Sequence, residues 1–240
     1  MRVAVLSDIH ANLPALEAVL AAVGPSDALW VLGDTVGYGP QPNEVVQRLR
    51  TAGAHAVLGN HDAAAIGRID ADAFNEDART AVEWTAGQLS PATRRWLAAL
   101  PERSTQLDFT LVHGSPREPL WEYLFSVPVA RRNLSAFETT HCLVGHTHVP
   151  LVFREDDGRI ESLAPSDGSQ LHLDARRTIL NPGGVGQPRD GDPRACAMVL
   201  DLDGGIAEWL RVPYPIDQVQ ALMRAAALPE RLIQRLEIGL

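Results

Sequence analysis

Val3-Ala4-Val5-Leu6-Ser7-Asp8-Ile9-His10 opens the chain with an apolar run that stops on a carboxylate and an imidazole. Four consecutive apolar residues read as a strand buried on both faces. Asp8 and His10 then stand two apart. Alternate residues at an extended strand end point the same way, so the pair can grip one cation. Asp-x-His alone is too common to decide anything. The fold is decided by recurrence. Leu29-Trp30-Val31-Leu32 ends on Gly33-Asp34, Ala56-Val57-Leu58 on Gly59-Asn60-His61-Asp62, and Cys142-Leu143-Val144 on Gly145-His146-Thr147-His148. A fifth run, Phe109 to Val112, fits a half-buried strand and ends on His113-Gly114.

Five of the eight histidines fall at these strand ends, an order that unrelated packing histidines would not produce. The other three, His55, His141 and His172, read as structural. Imidazole, carboxylate and carboxamide groups beside glycines at strand ends are what a binuclear metal site on an α/β sheet requires. The chemistry indicated is hydrolysis of a phosphate ester by two metal ions.

The intervening segments supply the helices of an α/β fold. A helix is expected from about Pro14 to Val23, with Asn12 or Leu13 at its cap and Gly24-Pro25 ending it. Another is expected from Pro42 to Thr51, followed by a strand over 54–58. From Ala63 to about Leu100 the pattern is helical only, with Phe74, Ala78, Ala81, Val82 and Thr85 at helical spacing. This insertion, 63–100, reads either as one wall of a cleft or as a layer covering the sheet. Strands return near 104–112, and a helix is expected around Val129 to Phe137. Further strands are read near 141–144, 149–153, 159–163, 170–173, 176–180, 195–201 and 206–212. Asp156-Asp157-Gly158 and Asp203-Gly204-Gly205 form hairpin turns, and a helix pair runs from Ile216 to about Ile238. Strands at both ends of the fold suggest two sheets packed face to face with helices outside, in a single domain spanning 1–240.

With 240 residues, 45% of them hydrophobic, the chain can bury a full core. Its net charge of −9 disfavours tracking along a nucleic-acid backbone, so a small substrate is expected rather than DNA or RNA. All 21 basic residues are arginine, which excludes a lysine Schiff base and a Walker-type phosphate loop. The two cysteines, Cys142 and Cys196, lie in no metal-binding spacing, and no stretch approaches membrane-spanning length. A cytoplasmic protein is expected. Oligomeric state is left open.

The order Asp-x-His, Gly-Asp, Gly-Asn-His-Asp, His-Gly and Gly-His-x-His, from Asp8 to His148, resembles the calcineurin-like metallophosphoesterase superfamily. Asn181-Pro182-Gly183-Gly184 resembles a later motif of its small bacterial phosphodiesterase-like branch. The resemblance implies a four-layer α/β/β/α sandwich with two mixed sheets. It implies that Asp8, His10 and His148 hold one metal and Asn60, His113 and His146 the other, with Asp34 bridging. His61 would stand free of the metals near the leaving group, while a bridging hydroxide attacks phosphorus. Mixed N/O ligands without thiolate suit Mn, Fe or Zn. Beyond these, Asn12 is either a helix cap or a phosphate contact. Arg117 is a candidate phosphate contact. Asn181 reads as a turn supporting the His146/His148 loop.

The pattern also departs from the phosphoprotein phosphatases of that superfamily, which carry Gly-Asp-x-Val-Asp-Arg-Gly at the second motif. Here Gly33-Asp34-Thr35-Val36-Gly37-Tyr38-Gly39 puts Gly37 where a carboxylate would orient the catalytic histidine. Tyr38 replaces the phosphate-clamping arginine. Tyr38 is thus a candidate substrate contact. The expected activity is hydrolysis of a small organic or nucleotide phosphodiester. The alternatives are a phosphomonoesterase or phosphoprotein phosphatase, and a non-catalytic scaffold of the same fold. The complete ligand set argues against the scaffold.

Overall fold

The computed structural model describes residues 1–240. Its strands form two mixed sheets of six. In the first, β1 (Arg2–Leu6), β2 (Ala28–Val31) and β3 (His55–Ala56) run parallel. The numbering passes here to the second sheet, where β4 (Arg103–Gln106) lies antiparallel to β5 (Phe109–Val112). Next come β6 (His141–Leu143), β7 (Pro150–Asp156) and β8 (Arg159–Leu163), with β9 (Gln170–His172) at the far edge of the first sheet. β10 (Thr178–Pro182) runs parallel to β6, as β6 does to β5. β11 (Ala195–Asp201) pairs antiparallel with β1, and β12 (Ile206–Val212) pairs antiparallel with β11, carrying the first sheet out to β9. Each sheet therefore carries three parallel strands, and the C-terminal ends of those six strands lead into the segments that carry the site. Ligand sites gather at that edge of a parallel sheet.

Side-chain alternation sorts the layers. Ala4 and Leu6 of β1 pack outward under helices, while Val3 and Val5 point between the sheets. Between the sheets they meet Trp30, Leu32, Leu111, Leu143, Leu180, Met198 and Trp209. Trp209, 1% exposed, donates its indole N–H to the Asn181 carbonyl at 2.9 Å, so the inner layer leaves no polar atom of this ring unpaired. Outside the first sheet lie α1 (Leu13–Val23), α2 (Pro42–Thr51), α3 (Asn60–Ala65), α4 (Glu76–Gln88) and α5 (Pro91–Ala98). Outside the second lies α6 (Val127–Leu134), whose Ala130 and Leu134 meet Cys142, Phe153 and Ile179. α7 (Ile216–Ala225) and α8 (Glu230–Gln234) return to the first side through Val219, Met223 and Ile233. The four-layer α/β/β/α sandwich is thus observed, with a much larger apolar cluster on the first side.

Several boundaries differ from the sequence reading, each for a local reason. The strand expected over 54–58 shortens to His55–Ala56 because only Val57 N–H continues to Val31 O (3.0 Å) before Leu58 N–H turns to Pro101 O (2.8 Å). The run near 104–112 is a hairpin folded at Leu107, whose φ is 53°. The helix placed at Val129–Phe137 starts earlier, with Pro128 in its first turn, and stops at Leu134. The helical stretch begins at Asn60 rather than Ala63, so Asn60 and His61 sit in a first helical turn. No helix is long and apolar enough to cross a membrane. Cys142 and Cys196 are free, buried thiols.

Candidate metal centre

The loops leaving the parallel strands are laced by backbone hydrogen bonds. His10 N–H donates to Asp34 O and Ala11 N–H to Thr35 O, both at 2.9 Å. Val185 and Gly186 N–H groups donate back to Ser7 O and Asp8 O at 3.0 and 2.9 Å. These tight crossings force unusual backbone. Asp8, His10, Ala11, Asp34, Tyr38, His146 and His148 all have φ between 49° and 64°. Left-handed backbone at a non-glycine residue costs on the order of 1–3 kcal/mol and persists only where surrounding bonds hold it. Here it aims polar side chains inward. At Gly59 only glycine fits, since a Cβ would lie 2.1 Å from Asp34 Oδ1.

Two donor groups result. Asp8, His10, Asp34 and His148 offer atoms within 4.8 Å of one another, and so do Asp34, His113 and His146. Asn60 Oδ1 joins the second group, 3.0 Å from His113 Nε2, which lies 3.0 Å from His146 Nδ1. Asp34 belongs to both groups. The structure thus gathers all seven candidate ligands, each no more than 3% exposed.

The ring orientations are fixed from behind. His10 Nδ1 donates to Val36 O (3.2 Å), His113 Nδ1 to Leu32 O (2.8 Å) and His148 Nδ1 to Gln187 O (2.5 Å). Each bond assigns the tautomer and turns an Nε2 lone pair toward the centre. His10 Nε2 and His148 Nε2 then face each other at 3.2 Å. Burial holds both rings well below the ordinary imidazole pKa, so two lone pairs meet there. Such a pair is stable around a shared cation. The carboxylates agree with that reading. Burial, with Asp34 alongside, pushes Asp8 up to about 7. Burial would raise Asp34 as well, but His113 and His61 hold it well below the usual carboxylate range. Burial would lower His113, yet the Asp34 carboxylate raises it to about 9, so its Nε2 lone pair holds a proton that a bound cation would displace. The donor set, mixed imidazole, carboxylate and carboxamide, fits divalent transition cations.

His61 stands beside the donor groups. Its backbone N–H donates to Asp34 Oδ1 at 2.9 Å, and burial lowers its ring to about 4. Its Nδ1 is buried without a hydrogen-bond partner. Aromatic rings position it instead: Tyr38 at 4.3 Å, Phe74 at 4.7 Å and His10 at 4.9 Å between centroids. Gly37, at φ 89°, makes room, since a Cβ there would sit 2.6 Å from His61 Nδ1. Asp62 is turned away to accept the Val36 and Gly59 N–H groups at 2.9 and 3.1 Å.

This four-layer frame with strand-end donors sharing one aspartate matches a known family model, the calcineurin-like phosphoesterase superfamily domain, over residues 1–205. The chain belongs to the calcineurin-like phosphoesterase superfamily. As a calcineurin-like phosphoesterase it is a metal-dependent hydrolase of phosphoric esters. Similar proteins include a crystal structure of a metallophosphoesterase from Sphaerobacter thermophilus, 48% identical over the whole of both chains with a TM-score of 0.93. An uncharacterised protein of Methanocaldococcus jannaschii is 35% identical across 99% of this chain and 98% of its own. The phosphodiesterase YfcE of Escherichia coli is 30% identical across 85% of this chain and 89% of its own.

Around this phosphoesterase centre, the weaker candidates separate. Tyr38 is at the site, its ring 4.6 Å from His10. Asn12 caps α1, accepting from Ala15 N–H (3.1 Å) and donating to Gly186 O (3.0 Å), so its polar atoms are already engaged. Arg117 pairs with Glu122 at 3.5 Å with its side chain 42% exposed, and lines none of the cleft beside the centre. Asn181 supports the histidine loop, donating to Gly145 O and Thr147 Oγ1 at 2.8 and 3.0 Å. The helical insertion both covers the first sheet, through Ala78, Ala81 and Val82, and reaches the cleft through Asn75, Glu76 and Asp77. Phe74, assigned by spacing to a helical face, lies just ahead of α4 against His61.

Two residues at the site escaped the sequence reading. Arg189 lies with its guanidinium carbon 5.8 Å from the Tyr38 ring centre and donates to the Tyr38 hydroxyl at 3.3 Å. It arrives on the loop after β10, the sixth parallel strand. The only hint in sequence is the glycine-rich Gly183–Gly186 run ahead of it. Tyr123 stacks on His146 at 3.9 Å and on Phe125 at 5.5 Å. Nothing in its flanking sequence marks it.

Proposed function

We propose that this chain hydrolyses phosphodiester bonds of a small organic or nucleotide substrate with two metal ions. Asp8, His10 and His148 would hold one ion and Asn60, His113 and His146 the other, with Asp34 shared. The observation that carries this reading is the pair of buried donor groups joined at Asp34, with three imidazoles locked by backbone carbonyls. Bound ions would polarise the phosphoryl oxygens and acidify a water for attack, and Mn, Fe or Zn would suit these ligands.

The protein's own groups do the rest. His61, with its ring held by Tyr38 and Phe74, would hydrogen-bond the charge that develops on the leaving oxygen. Arg189, rather than Arg117, would meet a non-bridging phosphate oxygen, its Nε having no partner within the protein. The Tyr38 ring fills the place of the phosphatases' clamping arginine, which favours a singly charged diester over a doubly charged monoester. The name of YfcE, a phosphodiesterase, agrees with this preference. Exposed Tyr123 and Phe125, 44% and 52% accessible, offer an aromatic edge for an aryl or nucleoside group. The two free thiols suit a reducing compartment such as the cytoplasm.

The test is hydrolysis of bis-p-nitrophenyl phosphate against p-nitrophenyl phosphate by chelator-stripped protein with Mn²⁺ restored. Metal-dependent preference for the diester supports the proposal. Preference for the monoester overturns the diester assignment, and no turnover of either with metal bound overturns the enzyme reading of these donors.

A further inference from the structure

Four histidines enter the two donor groups, and three of them, His10, His113 and His148, have a backbone carbonyl behind Nδ1. His146 is the exception. It turns Nδ1 toward the centre, 3.0 Å from His113 Nε2, and its Nε2 is buried without a hydrogen-bond partner. The backbone there is fixed. His146 N–H donates to the Asp8 carboxylate oxygens at 3.2 and 3.1 Å, and a Cβ on the preceding Gly145 would run into Ser7 Oγ. The ring has no such anchor. The last torsion of an imidazole is broad, so a ring with no hydrogen bond behind it is held by whatever lies on its faces.

Tyr123 lies there. Its ring stacks on His146 with centroids 3.9 Å and planes 17° apart, while His113 meets the same imidazole at an edge, 4.8 Å away. Tyr123 is 44% exposed, yet its neighbours in sequence set its place. Glu122 accepts from Ser115 Oγ and Asn133 Nδ2, both at 2.7 Å, and Leu124 is buried in the apolar cluster beneath α6. Anchors on both sides thus deliver the intervening ring to His146. Tyr123 belongs to none of the three apolar clusters, so core packing does not account for the contact. The contact also answers to metal. An imidazole that gives its lone pair to a cation becomes electron-poor, and the electron-rich face of a phenol then attracts it more strongly.

We infer, on the two-ion reading above, that Tyr123 is a positioning residue for the ion assigned to Asn60, His113 and His146. Its ring does for His146 what a carbonyl does for each of the other three histidines, and it sets the affinity of that ion alone. Tyr123 also lines the cleft beside the centre, so a residue that borders the substrate's path is read out in metal binding.

The test dialyses chelator-stripped full chain against rising free Mn²⁺ and counts bound metal per chain for wild type, H146A, Y123L and Y123F. H146A identifies the uptake step that depends on His146. Y123L keeps apolar bulk without a flat face. In it, that step is expected to need about tenfold more Mn²⁺, with the other step staying within about twofold. Y123F should return it to within about threefold of wild type, since the ring rather than the hydroxyl makes the stack. Both steps unchanged in Y123L, both weakened alike, or Y123F as weak as Y123L would each overturn the role of the ring. Two ions bound by wild type and by an indifferent Y123L overturn this role and leave the hydrolase reading standing. A wild type that never takes up a second ion overturns the two-ion reading and the role of Tyr123 with it.

Discussion

The metal centre and the cleft beside it are built on opposite principles. In the centre, seven donor side chains are nearly inaccessible, and His10, His113 and His148 are each pinned by a carbonyl behind the ring. In the cleft, Arg231 and Tyr123 stand exposed, Arg189 bonds to the Tyr38 hydroxyl and Arg235 to the Leu240 oxygen. Preorganisation suits chemistry, where a group displaced by an ångström loses rate, and looser side chains suit the recognition of a substrate's variable part. The contrast implies that changes in the centre alter metal content or turnover, whereas changes in the cleft alter KM.

The largest effect is expected at the shared aspartate. Asp34→Ala removes the one carboxylate common to both donor groups, so metal analysis should show both ions lost and activity at background. Metal retained at two ions per chain would break the assignment of Asp34 as the shared ligand. The same centre predicts a thermal signature in the unaltered protein. Mn²⁺ at one hundred times its dissociation constant stabilises by about 2.7 kcal/mol, or roughly 5–10 °C in Tm for a chain of this size. Asp34→Ala should abolish that shift. Next in size is His61→Ala, expected to lower kcat by about 10²–10⁴-fold with metal content intact, because the ring lies beside the two donor groups and in neither of them. Metal loss in this variant would move His61 into the coordination sphere and end its separate role.

Most of the centre was legible because its geometry is local. A buried strand, a turn and a polar tip occupy fewer than ten residues, so Asp8-Ile9-His10 or Gly145-His146-Thr147-His148 announces its own direction. The pattern of alternating strands and helices likewise carries the layer order, since each apolar face must find a partner. Arg189 was not legible for the opposite reason. It reaches the centre only because β10 lies beside β6 and the loop after it crosses back to Ser7 and Asp8, a pairing set by sheet topology. Phe74 and Tyr123 reach His61 and His146 by the same kind of long-range closure. The strand over 54–58 was overread because Leu58 is apolar, yet its N–H is claimed by Pro101 rather than by the sheet.

Gly37 and Tyr38 lie on the border between the two regions and sharpen the contrast. Gly37→Ala puts a methyl 2.6 Å from His61 Nδ1 at a φ of 89°, so the ring must shift. The expected result is a fall in kcat of about 10–100-fold with KM little changed, together with a loss of stability of about 1–3 kcal/mol. Tyr38→Phe keeps the ring against His10 and His61 but removes the hydroxyl that receives Arg189. Its effect should fall on KM, by about three- to tenfold, as expected for one lost hydrogen bond. A kcat effect exceeding the KM effect would place Tyr38 with the preorganised centre and not with the cleft.

The smallest expected effect is at Arg117, and it is the sharpest check on where the cleft ends. Its sequence context, directly after His113-Gly114-Ser115-Pro116, suggested a phosphate contact, and a residue four positions from a ligand is close in any fold. The chain, however, turns after Ser115: Glu118 N–H donates to Ser115 Oγ and Gly114 N–H to Pro119 O. That turn leaves the Arg117 guanidinium partly exposed beside Glu122, a carboxylate already bonded by Ser115 Oγ and Asn133 Nδ2, both at 2.7 Å. An exposed pair of this kind contributes about 0–1 kcal/mol to stability. Arg117→Gln should therefore leave kcat, KM and metal content within about twofold of wild type and move Tm by no more than about 2–4 °C. A tenfold rise in KM would mean that the 114–122 turn moves when substrate binds, and that the border of the recognition cleft runs through Arg117 instead of stopping at Tyr123.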